Sequence, residues 1–210
     1  MKEAGKIFSV LSDEMKTFAT LTIRDLTKSF DKQHFANNHI SLEIEAAKIT
    51  AFLGHNGAGK STLLNQMIGF TKPDQGDVCY GDISFVQNRK RARSMMSYAP
   101  LEKLTVEQNL EMLGRMRGLN TLDLQKEMDQ LLTELEIKEY RAKQGKDLSG
   151  GLKRLTSFAM ALIGSPTIIL LDEPTNDVDP IRREKQWQLL QKLAHKGHTI
   201  IIVTHNLLEV

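Results

Sequence analysis

The sequence predicts an α/β fold built around a mainly parallel sheet. Short apolar runs such as "TIILL" and "TIIIV" have the length of strands, and helical segments separate them in the second half of the chain. Strands that alternate with helices indicate a parallel sheet, because each crossover helix packs back onto that sheet. Nearer the N-terminus the apolar residues recur every two positions, which is typical of strands with one buried face.

The composition is typical of a globular protein. A chain of 210 residues suits one substantial domain, or a core with one inserted subdomain. Its net charge of +2 is too small to indicate a nucleic-acid partner. The single cysteine, Cys79, excludes an intrachain disulfide framework and a multi-cysteine zinc site. The sequence has no secretory signal and no run near the roughly 18–20 apolar residues of a bilayer span, so any membrane role is expected to be peripheral.

Residues 1–20 are predicted to form a helical extension ahead of the main domain. Their apolar side chains fall on one helical face: Ile7, Phe8, Leu11, Met15 and Phe18. One interpretation is a short helix packed on the domain. The alternative is a helix that binds a membrane or a partner.

From Leu21 onward the pattern predicts strands. "LTIRDL" alternates, and "HISLEIEAAKITAFL" places Ile40, Leu42 and Ile44 on one face. The continuous apolar run "ITAFL" then predicts a strand that is buried on both faces. "KSTLLNQMIGF" follows as a helix that ends at Gly69.

Residues 105–140 are predicted to be helical. Two amphipathic segments, "VEQNLEMLGRM" and "LQKEMDQLLTEL", are separated by Gly118 and Asn120. Apolar residues of the second segment recur at helical spacing and are predicted to belong to the core: Leu124, Met128, Leu131, Leu132 and Leu135. From Ser149 the chain returns to α/β alternation.

"GHNGAGKS", Gly54 to Ser61, matches the pattern G-x-x-x-x-G-K-[ST] between a strand and a helix. Its glycines let the backbone wrap closely so that N–H groups point into one concavity: Gly54, Gly57 and Gly59. The helix that starts there adds its positive end to the same anion site. Lys60 supplies a charge for β- and γ-phosphates, and the Ser61 hydroxyl is a ligand for Mg²⁺.

"IILLDEPT" predicts a buried strand that ends in two acids. Ligands of open α/β sheets bind at the carboxyl ends of the strands, where Asp172 and Glu173 lie. Asp172 is suited to hold Mg²⁺ through its water shell, and Glu173 to act as the general base on an attacking water. The alternative, solvated charges that cap a helix, is disfavoured by the phosphate loop upstream.

"LSGGLKRL" predicts a second helix start that binds an anion. Ser149 is followed by Gly150 and Gly151 ahead of an amphipathic helix. One nucleotide site does not need two such starts. Two copies that face each other head to tail would each bring this serine to the partner's γ-phosphate. The alternative is an ordinary serine N-cap with glycines for the turn.

With these motifs the chain resembles the ATP-binding cassette (ABC) transporter ATPases over residues 21–210. The resemblance implies a P-loop NTPase core with a mainly parallel sheet, an N-terminal antiparallel β subdomain and a helical subdomain inserted at about residues 101–150. "GHNGAGKST" is then the phosphate loop, with Asn56 and Thr62 among the nucleotide-binding residues. "LSGG" is the signature contributed in trans, and "LLDEP" is the strand that carries the magnesium ligand and the base.

The same resemblance assigns roles to three further residues. Asp179 ends the D-loop "NDVD" at the dimer seam, His205 is the switch histidine at the γ-phosphate, and Phe30 stacks on adenine. It also implies ATP and Mg²⁺, a homodimer or paired cassette, an integral-membrane transporter subunit as partner, and a cytoplasmic position on the inner face of the cell membrane. "DPIRREKQW", with Trp187, is similar to the subgroup that serves ABC-2-type exporters, although such a tryptophan is commonly a core residue.

The sequence departs from the family pattern in three places. Leu101 follows "YAP" where the family's Q-loop has a glutamine, and leucine cannot replace the hydrogen bonds of that amide. The Glu102 carboxylate is the alternative to that glutamine, but its negative charge would repel the phosphates. Leu152 stands where a glutamine usually closes the signature. Family members also continue beyond the position of Val210, so a shortened C-terminal end is expected.

The sequence thus favours an ATPase subunit that dimerises around ATP and powers a transporter, with weak basal turnover because the Q-loop glutamine is missing. The alternative is a nucleotide-gated dimerisation module that hydrolyses ATP slowly or not at all. Relatives that act on DNA or ribosomes carry long insertions or two cassettes in one chain, and the sequence has neither. Neither the cargo nor the direction of transport follows from these residues.

Overall fold

The computed structural model describes residues 19–31, 34–88 and 102–205. Two predictions therefore lie outside the described residues: the helical extension, apart from residues 19 and 20, and the loop position of Leu101. Within the described residues the chain forms one antiparallel sheet, one parallel sheet and five α-helices. This is the predicted α/β architecture with a separate N-terminal antiparallel sheet.

The antiparallel sheet has four strands in the order β2-β1-β4-β5. They are β1 (Leu21–Ser29), β2 (Phe35–Ile44), β4 (Gln75–Tyr80) and β5 (Ile83–Ser84). Its inward face carries Leu21, Ile23 and Val78, which are almost fully buried. Ile40, Leu42 and Ile44 join the same apolar cluster, which confirms the face predicted for β2.

The parallel sheet has the order β3-β7-β6, with β3 at Ile49–Leu53, β6 at Ile168–Asp172 and β7 at Thr199–Thr204. β7 lies between its two parallel neighbours, and all six of its residues are buried. The prediction that β3 is buried on both faces is wrong, because its residues are only half-buried and Leu53 is 43% exposed. Among the described strands β3 pairs only with β7, so it lacks a second neighbour to cover it.

The helices follow the predicted segments closely. They are α1 (Lys60–Met67), α2 (Val106–Met116), α3 (Thr121–Glu134), α4 (Gly150–Leu162) and α5 (Pro180–His195). α3 begins three residues before its predicted apolar stripe, because the Asn120 side chain accepts a hydrogen bond from the Asp123 backbone N–H and caps the helix. Gly118, with φ at +88°, separates α2 from α3 as expected. None of the described helices is both long and apolar enough to cross a bilayer.

Two apolar cores cover opposite faces of the parallel sheet. Ile201 of β7 packs with the antiparallel sheet and with Leu63 and Met67 of α1. Ile200 and Ile202 point to the other face and pack with α2 to α5. The predicted stripe of α3 is buried in this second core: Leu124, Met128, Leu131, Leu132 and Leu135. With both faces covered, the edge at the carboxyl ends of the strands is where ligands of such sheets bind.

Candidate functional site

A cavity of about 310 Å³ lies at the carboxyl edge of the parallel sheet. Its lining comes from the loop after β3, the start of α1, the end of β6 and single residues of β2 and α4. The lining residues are Ala36, Asn56, Gly57, Ala58, Gly59, Lys60, Ser61, Thr62, Arg154, Asp172 and Glu173. The structure thus brings the predicted phosphate loop and both predicted acids into one pocket.

The loop between β3 and α1 has the backbone that its glycines allow. Gly57 and Gly59 have φ values of +84° and +85°, a left-handed conformation that favours glycine. A Cβ on Gly59 would also lie 2.0 Å from the Ala36 carbonyl oxygen, so no larger residue fits there. Gly59 is the N-cap of α1 and provides no side-chain cap, which leaves the first-turn N–H groups available to an anion.

Lys60 stabilises this loop from within. Its Nζ donates hydrogen bonds to the carbonyl oxygens of Gly54, at 2.6 Å, and His55, at 3.0 Å. The ammonium group is thereby held across the mouth of the loop, beside the N–H groups of α1. This places one full positive charge and one helix N-terminus at the same anion site.

Ser61 and Asp172 form the oxygen pair predicted for a magnesium ion. The Ser61 hydroxyl donates a hydrogen bond to the Asp172 carboxylate, which joins the first turn of α1 to the end of β6. Burial raises the pKa of Asp172; the Ser61 hydrogen bond opposes this, Glu173 adds to it, and the charges of Arg154 and Lys60 lower it. A hydroxyl and a carboxylate in contact are the hard oxygen donors that Mg²⁺ takes beside phosphates, so the residues fit this ion.

Glu173 and His205 meet at the ends of β6 and β7. The His205 Nδ1 donates to the Glu173 Oε1 at 2.8 Å, while the Glu173 backbone N–H donates to the Val203 carbonyl at 2.8 Å. The φ of Glu173 is +48°, a conformation that costs energy for a residue with a Cβ and that is common at functional sites. Its Oε2 is buried and has no hydrogen-bond partner among the described residues.

The other predicted site residues do not line this cavity. Phe30 is 70% exposed, with the Lys28 ammonium 5.5 Å from its ring centre. Ser149 is the N-cap of α4, and its hydroxyl accepts a hydrogen bond from the Leu152 N–H. Asp179 caps α5 in the same way by accepting from the Arg182 N–H.

Gly150 and Gly151 lie against the loop before α5. A Cβ on Gly151 would come within 2.4 Å of the Asp177 carbonyl oxygen, so the signature backbone approaches that loop too closely for any larger residue. The start of α4 and the loop before α5 are therefore in direct contact, and neither Gly151 nor Asp177 lines the cavity.

Three residues at the site were not predicted from the sequence. Arg154 lines the cavity from α4, and the basic pair "KR" after the signature was its only signal in the sequence. Ala36 contributes its backbone beside Gly59, and the Asn37 Nδ2 donates to the Gly59 carbonyl at 3.3 Å. Nothing in the sequence marks these two residues, because their role depends on how the antiparallel sheet packs on the loop.

The ABC transporter family model matches residues 37–176, which include the loop, the signature and the acids after β6. The chain belongs to the ABC transporter family. It is 35% identical to the ABC-type organic anion transporter ABCA8B of Mus musculus over 90% of this chain and 12% of that protein. It is also 34% identical to the cholesterol transporter ABCA5 of Homo sapiens over 96% of this chain and 13% of that protein.

Solved ABC cassettes share the fold. The dimeric bacterial ABC transporter cassette MJ0796 superposes with a TM-score of 0.82 at 26% identity, covering 90% of this chain and 89% of that one. A dimeric post-hydrolysis state of the same cassette, bound to ADP and Pi, gives the same TM-score and identity. The chain is thus an ATP-binding cassette of a family of ATPases, and the prediction of a non-hydrolysing module is not favoured. This chain spans only about an eighth of the length of the two curated relatives, ABCA8B and ABCA5.

Proposed function

We propose that this cassette binds and hydrolyses ATP at the cavity beside the parallel sheet, and that two cassettes dimerise around ATP to power transport by membrane subunits. The proposal rests on one observation: the phosphate loop, Asp172 and Glu173 line a single pocket, and His205 is hydrogen-bonded to Glu173. Family membership supports the reaction, since it places the chain among ATP-binding cassettes.

In this proposal the loop holds the phosphates. The backbone N–H groups from Gly57 to Thr62 bind phosphate oxygens at the start of α1, and Lys60 exchanges its loop carbonyls for the β- and γ-phosphates. The glycines and Asn56 keep the loop narrow enough for that approach. Phe30 offers an exposed ring on which adenine stacks.

Ser61 and Asp172 would hold the magnesium ion, through the hydroxyl oxygen directly and through the carboxylate by way of bound water. When bound, Mg²⁺ neutralises phosphate charge that this pocket would otherwise have to balance with Lys60 and Arg154 alone. The Ser61 hydroxyl already faces the Asp172 carboxylate, so the two oxygens lie close together.

Glu173 is the proposed general base. Its carboxylate accepts the proton of the attacking water, and His205 holds that carboxylate through the Nδ1–Oε1 hydrogen bond. In phosphoryl transfer the protein acts mainly by positioning and by charge stabilisation. The left-handed backbone of Glu173 supports this role, since it fixes the direction in which the side chain leaves β6.

The proposed contacts between two cassettes are made by residues that do not line the pocket of their own chain. Ser149, Gly150 and Gly151 would meet the γ-phosphate held by a second cassette, with Asp179 at the seam between the two. In support of this, α4 starts with an exposed serine cap and no acid in its first turn, so its positive end is open to an anion.

The wider setting is also proposed. Residues 21–210 would form the cassette, with the helical subdomain at about 101–150 and residues 1–20 as a helical extension. The cassette would act in the cytoplasm, on the inner face of the cell membrane, docked on an integral-membrane subunit. The sequence around Trp187 and the lipid-like cargoes named for relatives such as the cholesterol transporter ABCA5 favour an exporter of the ABC-2 type.

Light scattering with a non-hydrolysable ATP analogue and Mg²⁺ tests this proposal. We expect the chain to double in mass with the analogue and to stay monomeric with ADP. Lys60→Met removes the phosphate-binding charge and should abolish the dimer, whereas Lys72→Met, the same change at an exposed position outside the pocket, should not. Dimerisation that is unaffected by Lys60→Met would contradict the proposed site.

A further inference from the structure

Arg154 brings a positive charge to the pocket from the signature helix. It lies in α4, just over one turn beyond the Ser149 cap, and lines the cavity together with Lys60, Asp172 and Glu173. Its charge acts on the Asp172 carboxylate. Its neighbour Lys153 does not line the cavity, because successive residues of a helix point about 100° apart.

The Arg154 guanidinium is not committed to another protein group. It is exposed, and no hydrogen bond or ion pair joins it to any residue in the described parts of the chain. Arg182 of α5 differs from it, because its guanidinium donates to the Asp179 carboxylate and to the Glu136 carbonyl. An arginine beside an anion pocket, with no bond to the described residues, is suited to phosphate, which it binds in a bidentate manner.

The acids of the pocket indicate which phosphate this is. Arg154 lines the cavity together with Asp172 and Glu173, and its charge acts on the Asp172 carboxylate. In the proposed function these two acids serve the magnesium ion and the attacking water. A terminal phosphate there would bring further negative charge next to two carboxylates. Lys60 and a bound magnesium ion would offset part of that charge, and Arg154 supplies a further cation that lines the same cavity.

We infer that Arg154 contacts the γ-phosphate of the nucleotide bound in its own chain and makes the site prefer ATP over ADP. This inference rests on the proposed function. α4 then serves two nucleotides: its N-cap Ser149 faces the partner's nucleotide, and Arg154 binds the one in its own pocket. A movement of α4 would change the contacts with both nucleotides, because one rigid helix carries both residues.

Equilibrium binding of Mg-ATP and Mg-ADP tests the inference. The Glu173→Gln background suppresses hydrolysis, so the dissociation constant of ATP is measurable by calorimetry. Arg154→Gln should weaken ATP binding by about 10- to 100-fold, as expected for a lost charge-assisted hydrogen bond, and leave ADP binding within about twofold. Arg154→Lys should recover part of the loss, since it restores the charge without the fork.

Lys153→Gln is the matched control, because it removes the same charge one residue away. It should change neither the ATP affinity nor the ADP affinity. Equal ATP affinity in Arg154→Gln and its parent would overturn the inference, and so would an equal loss of ATP and ADP binding. If the parent protein binds neither nucleotide, the proposed function itself is overturned, and the inference with it. Thermal unfolding of each variant, expected to match the parent because Arg154 is exposed, separates binding from folding.

Discussion

Glu173 and His205 are brought together by strand register. β6 and β7 are aligned so that Asp172 is opposite Val203, and the residues that follow each strand then meet. The sequence predicted both residues from the motifs in which they stand. It could not predict their hydrogen bond, because 32 residues separate them and the contact depends on a parallel pairing that no local pattern specifies.

Leu101 provides a residue-level prediction that depends on sequence alone. If the missing glutamine slows turnover by removing a positioning group, Leu101→Gln should raise the ATPase rate of the purified chain. The expected gain is on the order of 10²-fold, the scale of one well-placed polar group. Steady-state phosphate release measures it, and Leu101→Met is the control for a change without an amide. An unchanged rate in Leu101→Gln would show that position 101 does not limit hydrolysis.

The proposed site residues include the N-terminal caps of three helices. Gly59 begins α1, Ser149 begins α4 and Asp179 begins α5, and only the first of them lines the cavity. The sequence predicted the helices that follow Gly59 and Ser149, from the phosphate-loop pattern and from the serine–glycine start. It did not predict that Asp179 caps a helix. It failed for β3, whose apolar run predicted full burial. Burial of a strand depends on its neighbours, and composition does not show them.

The Ser149 cap provides the element-level prediction. Ser149→Ala removes the hydrogen bond from the Leu152 N–H and should cost about 0.5–2 kcal/mol of unfolding free energy. Ser149→Asp keeps a capping oxygen and should retain that stability, but its negative charge should repel the partner's phosphate. We therefore expect Ser149→Asp to unfold like the wild type in urea and to lose ATP-driven dimerisation. A dimer that forms normally would mean that α4 does not meet a second nucleotide.

Across the whole molecule, polar contacts join α3 and the end of α2 to the end of α4. Glu127 of α3 accepts a hydrogen bond from the Gly164 N–H at 2.8 Å, between α4 and β6. Arg117, the residue that follows α2, donates to the Met160 carbonyl at 3.0 Å near the end of α4. The sequence predicted the fold class from the alternation of strands and helices. It could not predict these links, because each joins residues that are far apart in the chain.

Glu127 makes the stability of this arrangement depend on pH. Its burial raises its pKa above the ordinary 4.5, and the Gly164 and Ser165 hydrogen bonds and the Arg117 charge only partly oppose the shift. The folded protein therefore binds more protons than the unfolded chain between the two pKa values, so unfolding free energy falls as the pH rises through that window.

Glu127→Gln keeps an acceptor oxygen and removes the titration. Relative to this variant, the wild type should lose stability as pH rises from below 4.5 through the raised pKa of Glu127. Urea unfolding at a series of pH values measures the difference. The unfolding free energy of the wild type, relative to Glu127→Gln, should not stay constant or rise as the pH increases. Either result would show that Glu127 does not titrate as the structure indicates.

Phosphate release from Mg-ATP, measured on the wild type and on Glu173→Gln, tests most directly whether this pocket hydrolyses ATP. We predict slow but measurable turnover in the wild type, a loss on the order of 10²- to 10⁴-fold in Glu173→Gln, and unchanged ATP binding in that variant. Glu184→Gln makes the same substitution at an exposed position of α5 and should keep the wild-type rate. Equal turnover in the wild type and Glu173→Gln would contradict the assignment of the base, and with it the mechanism proposed for this site.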